Sequence, residues 1–183
     1  MKTREISLVA LFTALTAVGA FISIPLGPVP ISLQSFFVIL SGVLLGHKLG
    51  ALSQILYIIL GLVGLPIFAG FSGGLQSILK PSFGFIIGFV FASYVAGKIS
   101  HSWKGRSFLK IWISFIIASL VIYLFGLPYM YYILNIVMGS NLSLSYLFKV
   151  GFLLFLPGDI LKIIIGSIVG KKIKAVITGL LNT

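Results

Sequence analysis

The 183-residue chain has no cysteine, two acidic residues and two histidines. Without cysteine there is no disulfide scaffold, no thiolate metal site and no cysteine nucleophile. The acids are Glu5 and Asp159; the histidines, His47 and His101, both lie in basic stretches that read as loops. Neither a histidine metal cluster nor a serine, histidine and acid triad can be built from that set, so no metal site and no hydrolytic enzyme is expected. A Gly-x4-Gly-Lys-Ser/Thr phosphate loop is missing too. The nearest stretch, Gly166-Ser-Ile-Val-Gly170-Lys171-Lys172, has the wrong spacing and lacks the hydroxyl that would hold magnesium. The chain therefore does not hydrolyse ATP by that route, and no cofactor of its own is expected.

Charge of any sign is scarce. Only 8% of residues are charged and 59% are hydrophobic, with a mean hydropathy of +1.22. An ordinary soluble domain carries about 25% charged residues, so too little polar surface is present to keep a globule in water. The few charges are lopsided, 13 Lys plus Arg against 2 Asp plus Glu, for a net +11. Such basicity commonly marks a nucleic-acid binder. Here the cations are interrupted by long apolar runs, which fits basic loops beside a lipid bilayer and no nucleic-acid partner.

A spanning helix needs about 20 apolar residues to cross about 30 Å of hydrocarbon. The sequence reads as one all-α integral membrane domain over 1–183, with spans at 6–24, 31–46, 49–68, 83–97, 111–127 and 147–169. The first run is longer than a signal peptide's apolar core of about 7 to 15 residues and reads as a retained helix. It closes at Ile24-Pro-Leu-Gly-Pro-Val-Pro30. The second span is short for a full crossing. Segment 69–82, with Gly70, Gly73, Gly74 and Pro81, will not hold a straight helix through lipid and needs shelter by protein. Span five is expected to stop at Gly126-Leu-Pro128, ahead of the interfacial aromatics Tyr129, Tyr131 and Tyr132. Span six is expected to be broken by Pro157-Gly158-Asp159.

Six spans put both termini on one side. Lys2, Arg4, Lys48, Lys98, Lys104, Arg106, Lys110, Lys171, Lys172 and Lys174 share that side, leaving Lys80, Lys149 and Lys162 out of the thirteen cations. Both termini are thus expected to be cytoplasmic. The irregular linkers 25–30, 69–82 and 126–146 then face outward, which suits a protein that captures something from outside.

Asp159 lies in an apolar run three residues before Lys162, so the two share a helix face. An ionisable group within a span costs roughly 2.5 to 3.5 kcal/mol on insertion scales, tolerable where it meets a partner or a polar cavity. The pair is either a ligand site or a clamp between helices. Pro157 suits a first helical turn, which would set both residues near a positive helix end. Lys80 is an isolated cation, either a contact for an anionic ligand or a side chain reaching the headgroups. Gln34, Gln54, Gln76 and Asn135 each donate and accept, at a site or between helices. Phe71, Phe83 and Phe85 are candidates for an apolar wall. Ala10 and Ala14, with Ala17 near the same stripe, and Gly84, Gly88, Ala92 and Ala96 form two small-residue rows that let helices approach closely, within the bundle or against a partner.

Five stretches, Gly27-Pro-Val-Pro-Ile-Ser-Leu-Gln34, Gly61-Leu-Val-Gly-Leu-Pro-Ile-Phe-Ala-Gly70, Ser72-Gly-Gly74, Pro81-Ser-Phe-Gly-Phe-Ile-Ile-Gly-Phe89 and Leu156-Pro-Gly-Asp-Ile-Leu-Lys162, together resemble the BioY family. These are the biotin-specific substrate-capture subunits, or S components, of energy-coupling factor (ECF) transporters. The resemblance covers nearly the whole chain. It departs from the commoner pattern Gly-Pro-Thr-Gly-Gly-Tyr, with Lys80-Pro-Ser-Phe-Gly-Phe85 in its place. What the resemblance implies is an ECF S-component fold in a bacterial-type plasma membrane. It also implies capture of biotin, a transmembrane coupling subunit meeting Ala10 and Ala14, and two cytosolic ATPase subunits that use ATP and magnesium. Asp159 would accept from the ureido N–H groups, with Lys162 orienting it or meeting a ligand acceptor. Lys80 would meet the tail carboxylate, with Gln34 and Gln76 as lesser contacts. The alternatives are the same architecture serving another vitamin, an intramembrane enzyme using Asp159 and Lys162 as acid and base, or a pore or scaffold.

Overall fold

The structure is a computed structural model; it describes residues 2–101 and 108–182, with side chains as far as Lys174. Lys104 and Arg106, two of the cations used to orient the chain, lie outside the described residues. The first uncharged run forms α1 (Thr3–Phe21). It ends before Ile24 because a residue preceding proline is pushed toward extended backbone. Ser23–Ile24 (β1) and Ile31–Ser32 (β2) pair antiparallel around the proline turn, with Ser23 opposite Ser32. The second helix, α2 (Gln34–Leu45), meets α3 (His47–Val63) at Gly46, whose φ of +84° makes the sharp corner. Then come a 3-10 turn (Leu75–Leu79), α4 (Phe83–His101) and α5 (Phe108–Tyr131). The last stretch comprises α6 (Leu144–Phe148), a wide turn (Lys149–Leu153) and α7 (Leu156–Asn182).

Among the described residues, four stretches are long and apolar enough to cross a membrane: Thr3–Phe21, Phe83–His101, Phe108–Val137 and Leu144–Lys174. The 12 residues of α2 and 17 of α3 are shorter, and complete a set of six apolar helices. Two expected breaks fall elsewhere. α5 runs straight through Pro128 to Tyr131 and on through a wide turn, Tyr132–Val137. In hydrocarbon a broken helix strands backbone N–H and C=O groups with no water to meet them, so one lost bond at Pro128 costs less than a stop. Irregular backbone is thereby confined to 138–143, where Asn135 bonds both the N–H and the C=O of Leu142 at 2.7 and 2.9 Å. In the last stretch the interruption is at Leu154–Phe155, and Pro157 sits inside the first turn of α7, where its missing N–H has no partner to lose.

Packing sorts the helix faces. On α5, Leu109, Ile113, Ile117, Leu120 and Leu124 are exposed as a lipid-facing stripe, while Ile111, Phe115, Ala118 and Ile122 are buried. Gly84, Gly88, Ala92 and Ala96 on α4 are all buried, with Gly84 against Tyr129 and Gly88 against Ile122 of α5. That row serves internal packing. Ala10 and Ala14 on α1 are exposed. Between α1, α2, α3 and α4 runs a buried polar set. Gln54 donates to Ser41 Oγ and Ser53 Oγ at 3.2 and 2.9 Å, and its Oε1 lies 3.3 Å from the Thr16 hydroxyl. Ser41 meets Ser93 at 2.9 Å. Gln54 is a bridge between helices.

Gly42 packs so tightly on α4 that a Cβ there would meet the Ser93 carbonyl carbon at 2.9 Å, closer than real contacts allow. Gly42→Val is expected to destabilise the detergent-solubilised protein by about 1–3 kcal/mol or more, the usual range for overpacking, read as a lower thermal midpoint. An unchanged midpoint would show that α2 and α4 separate without cost.

Candidate ligand-binding cavity

The first turn of α7, the N-terminal end of α2, the middle of α5 and segment 68–82 converge on one cavity. Asp159 and Lys162 both line it and are nearly buried, with side chains 10% and 11% exposed. They form an ion pair, Lys162 Nζ to Asp159 Oδ1 at 3.1 Å. Lys162 also donates to Ser35 Oγ at 3.0 Å, and the Tyr123 hydroxyl donates to the other carboxylate oxygen, Oδ2. Both oxygens of Asp159 are thus engaged from within the protein, and the carboxylate is held at a fixed angle.

The hydrogen-bond arithmetic leaves capacity on both partners. A carboxylate has about four acceptor positions, of which two are used, and an ammonium has three donors, of which two are used. Asp159 and Lys162 therefore offer an acceptor and a donor side by side. The apolar wall is aromatic. Phe85 stacks on Phe155 with ring centres 6.3 Å apart, and Tyr123 meets both edge-on. Phe68 and Phe89 complete it.

The expected residues divide. Asp159, Lys162, Lys80 and Gln34 all line the cavity. Gln34 is buried, donates to the Tyr57 hydroxyl at 2.6 Å and accepts from Ser32 at 3.0 Å. Tyr57 passes the chain on to the Ile67 carbonyl at 2.9 Å, tying α2 and α3 to the loop that follows α3. Lys80 is exposed at the end of the 3-10 turn. Gln76 lies outside the lining, exposed, with its amide on the Gly73 carbonyl at 2.6 Å. Of the three wall candidates only Phe85 lines the cavity; Phe71 stacks on Phe21 and Phe83 packs against Phe68 and Tyr129.

Sequence reasoning missed Tyr123, Ser35, Phe155 and the cavity serines. Tyr123 carried a usable signal as the one tyrosine deep inside the apolar span 111–127, away from any interface. Ser35 and Phe155 carried none, since both are ordinary residues of a membrane helix.

Comparison with known proteins places this architecture. The family model described as the BioY family matches residues 1–179. A probable biotin transporter BioY from Pyrococcus horikoshii is 45% identical over 95% of this chain and 98% of its own length. The biotin transporter BioY of Thermotoga maritima is 37% identical over 93% of this chain and 96% of its own length. The crystal structure of the S component for biotin from an ECF-type ABC transporter superposes with a TM-score of 0.72, at 29% identity, covering 96% of this chain and 95% of that one. A match over nearly the full length, in sequence and in fold, means that this chain belongs to the BioY family.

Proposed function

We propose that this chain is a biotin-capturing, non-catalytic subunit of an ECF-type transporter, taking the vitamin from the exterior into the cavity at the first turn of α7. The observation that carries the reading is the paired acceptor and donor, Asp159 and Lys162, facing a space walled by aromatics. A cyclic urea presents an N–H and a C=O side by side on one edge. Asp159 Oδ1 or Oδ2 accepts the N–H while Lys162 donates its third proton to the carbonyl, so one flat head group engages both partners. Phe85, Phe89 and Phe155 cover the thiophane ring. Gln34 stiffens the wall through Tyr57, and Lys80 meets the tail carboxylate at the outer segment. Gln76 contributes from outside the lining by holding the turn at Gly73.

The apolar helices and the family make this a multi-pass protein of the plasma membrane. On our reading both termini are cytoplasmic, by the loop cations, and the cavity opens outward. The chain has no phosphate loop of its own. Release to the inside then depends on a transmembrane coupling subunit, docked on the exposed Ala10 and Ala14 stripe of α1, and on two cytosolic ATPase subunits that use ATP and magnesium.

Equilibrium binding of radiolabelled biotin to the purified chain, with riboflavin and thiamine as competitors, tests the reading. Saturable binding that neither competitor displaces is expected; indifference to biotin at micromolar levels would point to another vitamin. Lys162→Ala is expected to weaken biotin at least tenfold, about 1.4 kcal/mol, because the ureido carbonyl and Asp159 each lose a donor. Near-normal affinity would remove Lys162 from the site. Replacing Ala10 or Ala14 by leucine is expected to spare biotin binding and to impair co-purification with the coupling subunit. Intact assembly and normal uptake would refute that docking face.

A further inference from the structure

Ser77 is 2% exposed, lines the cavity, and its hydroxyl has no hydrogen-bond partner among the described residues. A buried hydroxyl left unpaired costs about 1–3 kcal/mol, so native proteins place few of them without a use. Three other serines of the wall have partners. Ser32 bonds Gln34, Ser35 accepts from Lys162 and Ser72 donates to the Ala69 carbonyl. The other buried hydroxyl without a partner, Ser167, does not line the cavity.

The turn that carries Ser77 is pinned on both sides. Gly74 N–H donates to the Gly61 carbonyl at 2.7 Å, and the Tyr129 hydroxyl donates to the Ile78 carbonyl at 2.6 Å. Ser77 spends its own backbone locally, its N–H on Gly74 and its carbonyl on the N–H of Lys80, at 3.0 and 3.1 Å. The hydroxyl is what remains for a guest. It shares this turn with Lys80, whereas Asp159 and Lys162 share a turn on α7.

We propose that Ser77 Oγ is a ligand-binding and specificity-determining donor, giving its proton to the anionic tail of the ligand beside Lys80. This rests on the biotin reading above, with the ureido head at Asp159 and Lys162. A hydrogen bond to a carboxylate is about twice as strong as one between neutral groups, so the serine favours an acid tail over an apolar one.

The experiment compares two ligands on the wild type and Ser77→Ala: biotin, and the analogue in which a methyl group replaces the carboxylate. Ser77→Ala is expected to weaken biotin about tenfold, in line with a charge-assisted hydrogen bond, and to leave the methyl analogue within about twofold. The ratio of the two affinities is read within one preparation, so a partly unfolded variant does not distort it. Unchanged biotin affinity, or an equal loss for both ligands, overturns the assignment. Wild-type protein that binds no biotin overturns the biotin reading itself, and this inference with it.

Discussion

A backbone in hydrocarbon has no water to bond, and that constraint governs where this chain is regular and where it is not. It carries α5 through Pro128 instead of ending it, and replaces a stop with the wide turn Tyr132–Val137. It favours irregular backbone where protein groups meet the stranded polar atoms, as Asn135 does at the N–H and C=O of Leu142 and the Tyr57 hydroxyl at the Ile67 carbonyl. Helix contacts follow the same logic. With lipid as apolar as leucine, association rests on close approach and on buried polar bonds. Gly42 of α2, packed against α4, and the set around Gln54 supply both.

On that scaffold the ion pair of Asp159 and Lys162 is the costly element. Two charges out of water are retained only where geometry and further hydrogen bonds compensate, and removing one partner of such a pair costs about 3–5 kcal/mol. Ser35 and Tyr123 provide the further bonds, from α2 and α5. The pair is consequently a junction of three helices as well as a feature of the cavity. Of the two readings left open by the spacing, the clamp between helices is visible in these bonds, and the ligand-site reading is a proposal for the same two residues.

Much of this was legible in the sequence. Asp159 and Lys162 stood out because an acid and a base three residues apart in an apolar run have few explanations, and Pro157 located the start of their helix. The spans were legible as apolar runs. Their ends were less so, because proline is read as a stop, and α5 continues past Pro128 within a long apolar stretch, Phe108–Val137. Tyr123 and Phe155 come to the site only through the packing of α5 and the turn before α7. Nothing local distinguishes Phe155 from fifteen other phenylalanines. Gln34 was legible as a polar residue, but its role in bracing Tyr57 depends on a contact 23 positions away.

The brevity of α2 acquires a meaning from this arrangement. Its 12 residues rise about 18 Å, leaving about 12 Å of a 30 Å apolar layer unfilled along its axis. Nine of those residues are buried, so lipid does not see the shortfall. The absent turns lie beyond Gln34, where Val29, Pro30 and Ser32 of the hairpin fold back as cavity wall. The cavity is thus made by truncating one column of the bundle, and its depth is a matter of helical register, set by where the prolines end and α2 begins.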